Sequence, residues 1–177
     1  MKKYITLLFL GIASLTNAQV IIGDQVGTAT NQTSVLLDFA KDQNKGIIVP
    51  YVRTLPINPA GGTIVLDAST PTAARMKYWN TVEWVDLSGQ SANLTPYLII
   101  QPTTAEDATE KVIIGSTTSS ADGALVLESN TKAMVLPIVA NVQDIPSPSP
   151  GMMVYVKKEG SKRLAVYNGS KWSFWKS

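Results

Sequence analysis

The sequence contains no cysteine and no histidine in 177 residues. Without cysteine there are no disulfide staples, no thiolate nucleophile and no Cys/His zinc site. Without histidine there is no Ser-His triad and no imidazole that titrates near neutral pH. Packing alone must hold the fold. Charge is sparse too, at 16% of residues against 45% hydrophobic, a balance of globular rather than disordered chains. No phosphate-binding loop, dinucleotide fingerprint, HExxH, EF-hand loop or nucleophile elbow occurs. Neither cofactor nor metal is expected. Asp122-Gly123 reads as a turn, because one carboxylate falls far short of the roughly six oxygens that calcium takes.

Long apolar runs are missing as well. Residues 5–15 are apolar but shorter than the roughly 20 residues a transmembrane helix needs, so no membrane span is expected. Lys2-Lys3 precedes them and the small-residue site Thr16-Asn17-Ala18 follows. Residues 1–18 therefore read as a signal peptide for Sec export, with Gln19 starting the mature chain. A cell-surface, extracellular or periplasmic location is expected. The chain's 15 basic and 13 acidic residues include Lys2 and Lys3, so the mature part carries 13 of each. A neutral surface without a Lys/Arg stripe offers no electrostatic case for nucleic acid or anionic lipid.

What the sequence does have is an internal repeat. Val20-Ile21-Ile22-Gly23 returns as Val112-Ile113-Ile114-Gly115, each followed by a polar loop and an apolar strand, at residues 35–39 and 124–127. Lys45-Gly46-Ile47-Ile48-Val49-Pro50 matches Lys132-Ala133-Met134-Val135-Leu136-Pro137. Pro-containing turns then end at Gly62 and Gly151, and strands follow at 63–66 and 152–156. The terminal hairpins align Arg75 with Arg163, Trp79 with Tyr167, Asn80 with Asn168, and Trp84 with Trp172. The expected fold is all-β: two short antiparallel β-repeat modules, at residues 19–88 and 111–177. Residues 89–110 between them are expected to be a solvated linker, with an extra strand allowed at 97–101. In it, the acidic cluster Glu106, Asp107 and Glu110 lacks any sign of burial that would make an acid/base pair.

The second hairpin sets a register. Asn168-Gly169 between β-prone runs marks a two-residue turn with positive φ at both positions. Tyr167 would then face Ser170, Ala165 would face Trp172, and Arg163 would face Phe174. Tyr167, Ala165, Trp172 and Phe174 share one face; Leu164, Val166, Lys171 and Trp175 share the other. Apolar groups on both faces call for a partner over the second, because a lone hairpin is marginal in water. In the first repeat Thr81 stands where Gly169 stands in the second. A β-branched residue resists positive φ, so that turn is expected to be looser or longer, with Arg75 opposite Asp86.

Lys132, Pro137, Gly151, Tyr155, Tyr167, Asn168, Gly169 and Trp172, with Leu37-Asp38, Lys45-Gly46, Pro50, Gly62, Asn80 and Trp84 in the first copy, form a recurring unit. The unit resembles modules in secreted surface proteins of Bacteroidota-type bacteria and in phage tail-fibre proteins. The resemblance implies β-rich units that associate as trimers, with a homo-oligomer and other surface proteins as partners, and it brings no catalytic residue.

Three functional readings follow. An exported structural or interaction subunit of a fibre- or adhesin-like assembly explains the leader, the repeat and the missing catalytic chemistry together. A carbohydrate-binding module would use Tyr78, Trp79, Trp84, Tyr167, Trp172 and Trp175, the candidate interaction aromatics, as stacking platforms for glycans; their regular place in each repeat favours packing instead. An enzyme would have only carboxylates such as Asp38, Asp67 and Glu128, which no spacing pairs. The three N-x-S/T sites, at Asn31, Asn93 and Asn168, occur readily by chance.

Overall fold

A computed structural model describes residues 19–101 and 110–175. The expected signal peptide, residues 1–18, and Glu106 and Asp107 of the acidic cluster lie outside the described residues. The first repeat contains β1 (Val20–Ile22), β2 (Val35–Phe39), β3 (Ile47–Ile48), β4 (Tyr51–Val52), β5 (Ile64–Asp67), β6 (Arg75–Trp79) and β7 (Trp84–Asp86). A four-residue helical turn, α1 (Thr95–Leu98), follows. The second repeat runs β8 (Val112–Ile114), β9 (Leu125–Leu127), β10 (Ala133–Met134), β11 (Ile138–Val139), β12 (Met152–Val156), β13 (Arg163–Tyr167) and β14 (Trp172–Trp175). The chain is nearly all β, and each repeat supplies seven strands in the same order.

Several backbone bonds recur at matching places in the two repeats. Leu66 N–H donates to the Pro50 carbonyl and Tyr155 N–H to that of Pro137, both at 2.9 Å. Gly62 donates to Trp79 at 2.9 Å, and Gly151 to Tyr167 at 2.8 Å. In each repeat the last three strands are antiparallel, β5-β6-β7 and β12-β13-β14, as their turn signals imply. The earlier strands add parallel pairs at matching places: β1 with β2 and β8 with β9, then β4 with β5 and β11 with β12. Parallel partners are joined by crossovers rather than hairpins, so no local turn motif announces them.

Both repeats close their hairpins with one turn. Asn80 N–H donates to the Glu83 carbonyl at 3.2 Å, and Asn168 N–H to that of Lys171 at 3.3 Å. The loop is therefore four residues, not two, and Tyr167 pairs with Trp172 while Ala165 pairs with Phe174. Only the second loop residue has positive φ, at 102° for Gly169 and 82° for Thr81. The expected two-residue turn and the looser first turn are both overturned. Thr81 adopts the glycine-like conformation because Asn80 Oδ1 accepts from Val82 and Glu83 N–H (2.9 and 2.8 Å), as Asn168 Oδ1 does from Ser170 and Lys171 (3.0 and 2.9 Å). The register slips by two residues, one full period of the pleat, so the face assignment survives. Lys77, not Arg75, is directly opposite Asp86; Arg75 reaches that carboxylate diagonally. Arg163 likewise lies diagonal to Phe174, with its guanidinium 4.0 Å from the ring centroid.

Two buried clusters hold the fold. One lies within repeat 2, on the hairpin face carrying Ala165, where Met152, Val154 and Val156 meet Val139, Val142 and Ile145. The other joins the repeats: Leu66, Ala74 and Met76 of the first pack with Met153 and Val166 of the second. The second hairpin face is thus covered by the chain's own first repeat, where the resemblance favoured other chains. Leu94 and Leu98 also belong to this shared cluster. Residues 89–101, expected as a solvated linker, are mostly exposed but bury Ala92, Leu94 and Leu98, and residues 97–101 form helix and turn rather than a strand. Alternating polar and apolar residues there conceal two buried leucines in one helical turn.

Candidate assembly surface

The six candidate aromatics fall into two equivalent pairs and two single positions. Trp79 and Trp84 stand opposite each other beside the first turn, with ring centroids 5.6 Å apart and planes at 58°. Tyr167 and Trp172 do the same beside the second, at 5.2 Å and 40°. All four are half-buried, and Tyr167 and Trp172 pack on the repeat 2 cluster. Tyr78 packs on the shared cluster. Trp175 is 45% exposed, and its indole N–H donates to the Leu87 carbonyl at 2.6 Å, tying the end of repeat 2 to repeat 1. These aromatics are not gathered into one site; each pair finishes its own hairpin.

Around that seam the polar bonds also join the repeats. Asn168 is fully buried, and its Nδ2 donates to the Gln90 carbonyl at 2.9 Å while its Oδ1 closes the turn. Gln90 Nε2 donates to Ser173 Oγ at 3.1 Å, and that hydroxyl donates to the Ser88 carbonyl. The Tyr51 hydroxyl donates to the Pro150 carbonyl at 2.8 Å, and burial, with Tyr97 nearby, raises its pKa. The repeat spacing points to Asn168 only as a turn former. Its bond to residue 90 depends on tertiary packing that no sequence pattern encodes.

The carboxylates are structural. Asp38 is fully buried in β2 and accepts from Thr28 Oγ1 (2.8 Å), Ala29 N–H (3.0 Å) and Phe39 N–H (2.8 Å), which pins residues 27–29 to the strand. Burial pushes its pKa up, but these bonds outweigh it and hold the carboxyl below the usual aspartate value. Asp67 pairs with Lys77 at 2.7 Å and accepts from Ser69 N–H at 3.0 Å. Desolvation again opposes these contacts, which leave its pKa lowered. Asp86, held by Arg75 and by Ser88 and Gly89, is shifted down in the same balance. Glu128 accepts from the Ser119 hydroxyl. Asp38, Asp67 and Glu128 thus each accept from different partners. Among the described residues no cluster of three or more Asp or Glu is arranged to hold a metal, and no helix is long and apolar enough to cross a membrane.

What remains is a double module with strand edges still open. Among the described residues β8 and β9 form a two-stranded sheet with no third strand, whereas their counterparts β1 and β2 carry β10 as a third. Val112 and Leu125 expose large apolar side chains on that small sheet. Open edges of this kind are templates for pairing with another chain. The sequence profile of the family described as phage tail like trimerisation region matches residues 25–104 and 113–177. The chain belongs to this family. Each matched segment contains most of one seven-strand repeat, and the family supports self-association of a fibre-like protein. No curated protein and no solved structure matches the chain.

Proposed function

We propose that this protein is an exported, non-catalytic trimerisation unit of a surface fibre or tail-like assembly, in which three copies join into one β-rich segment. The observation that carries this reading is the family match over both repeats, each ending in the same aromatic hairpin. The segment at residues 1–18, with its basic start and short apolar core, supports passage through the Sec system. A structural role agrees with carboxylates engaged in turns and ion pairs. The aromatic pairs serve as the packed ends of the hairpins and as contacts for neighbouring surface proteins. Size-exclusion chromatography with light scattering on residues 19–177 tests the reading. A mass three times that of the chain is expected, and a folded monomer across micromolar concentrations would overturn it.

A further inference from the structure

The repeats set the same strand against different partners, using opposite edges of it. In repeat 2, Ala133 donates its amide to the carbonyl of Ser34, just before β2, at 2.8 Å, and Val135 donates to that of Leu37 on β2 at 2.9 Å, across a bulge. In repeat 1 the matching strand lies on β12 instead, with Val49 N–H donating to the Gly151 carbonyl at 3.1 Å. Val49 corresponds to Leu136, one residue beyond Val135, and backbone amides alternate sides along a strand. Repeat 1 therefore uses the edge that repeat 2 leaves open, and the reverse also holds. Ile48, the counterpart of Val135, points its amide away from β12.

The acceptor strand shows the complementary gap. β10 pairs in parallel with β2, but β9, the counterpart of β2, pairs among the described residues only with β8. Bonds from Val112 N–H to the Ala124 carbonyl and from Glu128 N–H to the Ile114 carbonyl use even-numbered positions of β9 and its flanks, both at 2.9 Å. The Leu125 carbonyl, equivalent to the Leu37 carbonyl that accepts from Val135, faces the open side. Side-chain burial follows the pairing. Leu37 is fully buried, whereas Leu125 is 49% exposed and Ile48 52% exposed.

We propose that β3 of one chain adds in parallel to β9 of a second copy, with Ile48 N–H donating to the Leu125 carbonyl and Gly46 N–H to the Asp122 carbonyl. The occupant is a second copy because β3 carries the free amide edge that matches the open side of β9, and because the chain already displays this pairing once, between β10 and β2. Donor and acceptor are different patches, so the contact is heterologous, and each chain offers one of each. Three copies can then close a ring. The inference rests on the trimer reading and specifies the surface that builds it.

Ile48→Pro tests it, since proline removes only the outward amide while Ile47 and Val49 keep β3 on β12. Leu125→Lys is the second variant, placing a charge where the counterpart Leu37 is buried, on a strand outside both buried clusters. Light scattering gives the mass of each, and near-UV circular dichroism checks its fold. A trimeric wild type with both variants folded and monomeric is expected. A folded variant that stays trimeric overturns the inference and leaves the trimer reading intact; a monomeric wild type overturns both. If Ile48→Pro does not fold, Leu125→Lys decides alone: monomer supports the pairing and trimer refutes it.

Discussion

Replacing Thr81 by glycine should stabilise the protein, although it deletes a side chain. Thr81 holds φ at 82°, and a β-branched residue with positive φ costs about 1–2 kcal/mol. Its side chain is exposed at the hairpin tip, so little packing is lost with it. Glycine costs about 0.5–1 kcal/mol of extra unfolded-state entropy. The difference favours Thr81→Gly by about 0.5–1 kcal/mol, or about 1–4 °C in Tm for a domain of this size. The reverse swap in the other repeat, Gly169→Thr, combines the same strain with crowding. A Cβ there would lie 2.8 Å from Leu94 Cδ2 and 3.0 Å from Pro150 Cγ, atoms of a packed interior, so a cost of about 2–4 kcal/mol is expected. Thermal unfolding followed by tryptophan fluorescence measures both. Equal shifts of the same sign, or a loss of stability in Thr81→Gly, would refute the claim that one turn geometry serves both repeats.

Two further outcomes follow from the packing and the charges. Met153→Ala removes a buried side chain shared by both repeats and should cost about 2–5 kcal/mol, with a single melting transition in both proteins by calorimetry; two separated transitions would mean the repeats fold independently. Asp38, Asp67 and Asp86 have lowered pKa values in the folded chain, so their stabilisation is complete above the unfolded value of about 3.9 and is lost as pH falls through the folded values. Urea midpoints should be flat above about pH 5 and fall below about pH 4, and Asp38→Asn should flatten that fall.

Much of the architecture was legible because the sequence states it twice. Matching the Val-Ile-Ile-Gly starts, the Lys-x-apolar-apolar-apolar-Pro stretches and the aromatic hairpins locates almost every strand, and side-chain alternation assigns the hairpin faces correctly even though the turn is two residues longer. The partners of those strands were not legible. That Ile47 lies on Met153 while its counterpart Met134 lies on Leu37 depends on contacts far apart in sequence. Nor did residues 89–101 reveal their core role, since Leu94 and Leu98 show one helical turn and no longer period. Of the aromatics, Tyr78, Tyr167 and Trp172 pack on the buried clusters. The cross-repeat bond from Trp175 to Leu87 could not be read from either repeat alone.

The places where the copies differ explain why they are not interchangeable. Gly46 passes so close to β12 that a Cβ would sit 2.8 Å from Val154 Cγ1 and 2.9 Å from the Met153 carbonyl; its counterpart Ala133 has that Cβ and pairs with β2 instead. The outer face of the repeat 2 sheet carries Val156 and Ala165, buried beneath Val139, Val142 and Ile145. The matching positions in repeat 1 are Asp67 and Lys77, an ion pair at the rim of the sheet. Each substitution suits one copy to a role the other cannot fill: repeat 1 lends β3 to its neighbour's sheet, and repeat 2 lends β10 to the β1–β2 sheet. Divergence at Gly46 and Ala133 thus goes with two different pairings of the same strand inside one chain, β3 on β12 and β10 on β2.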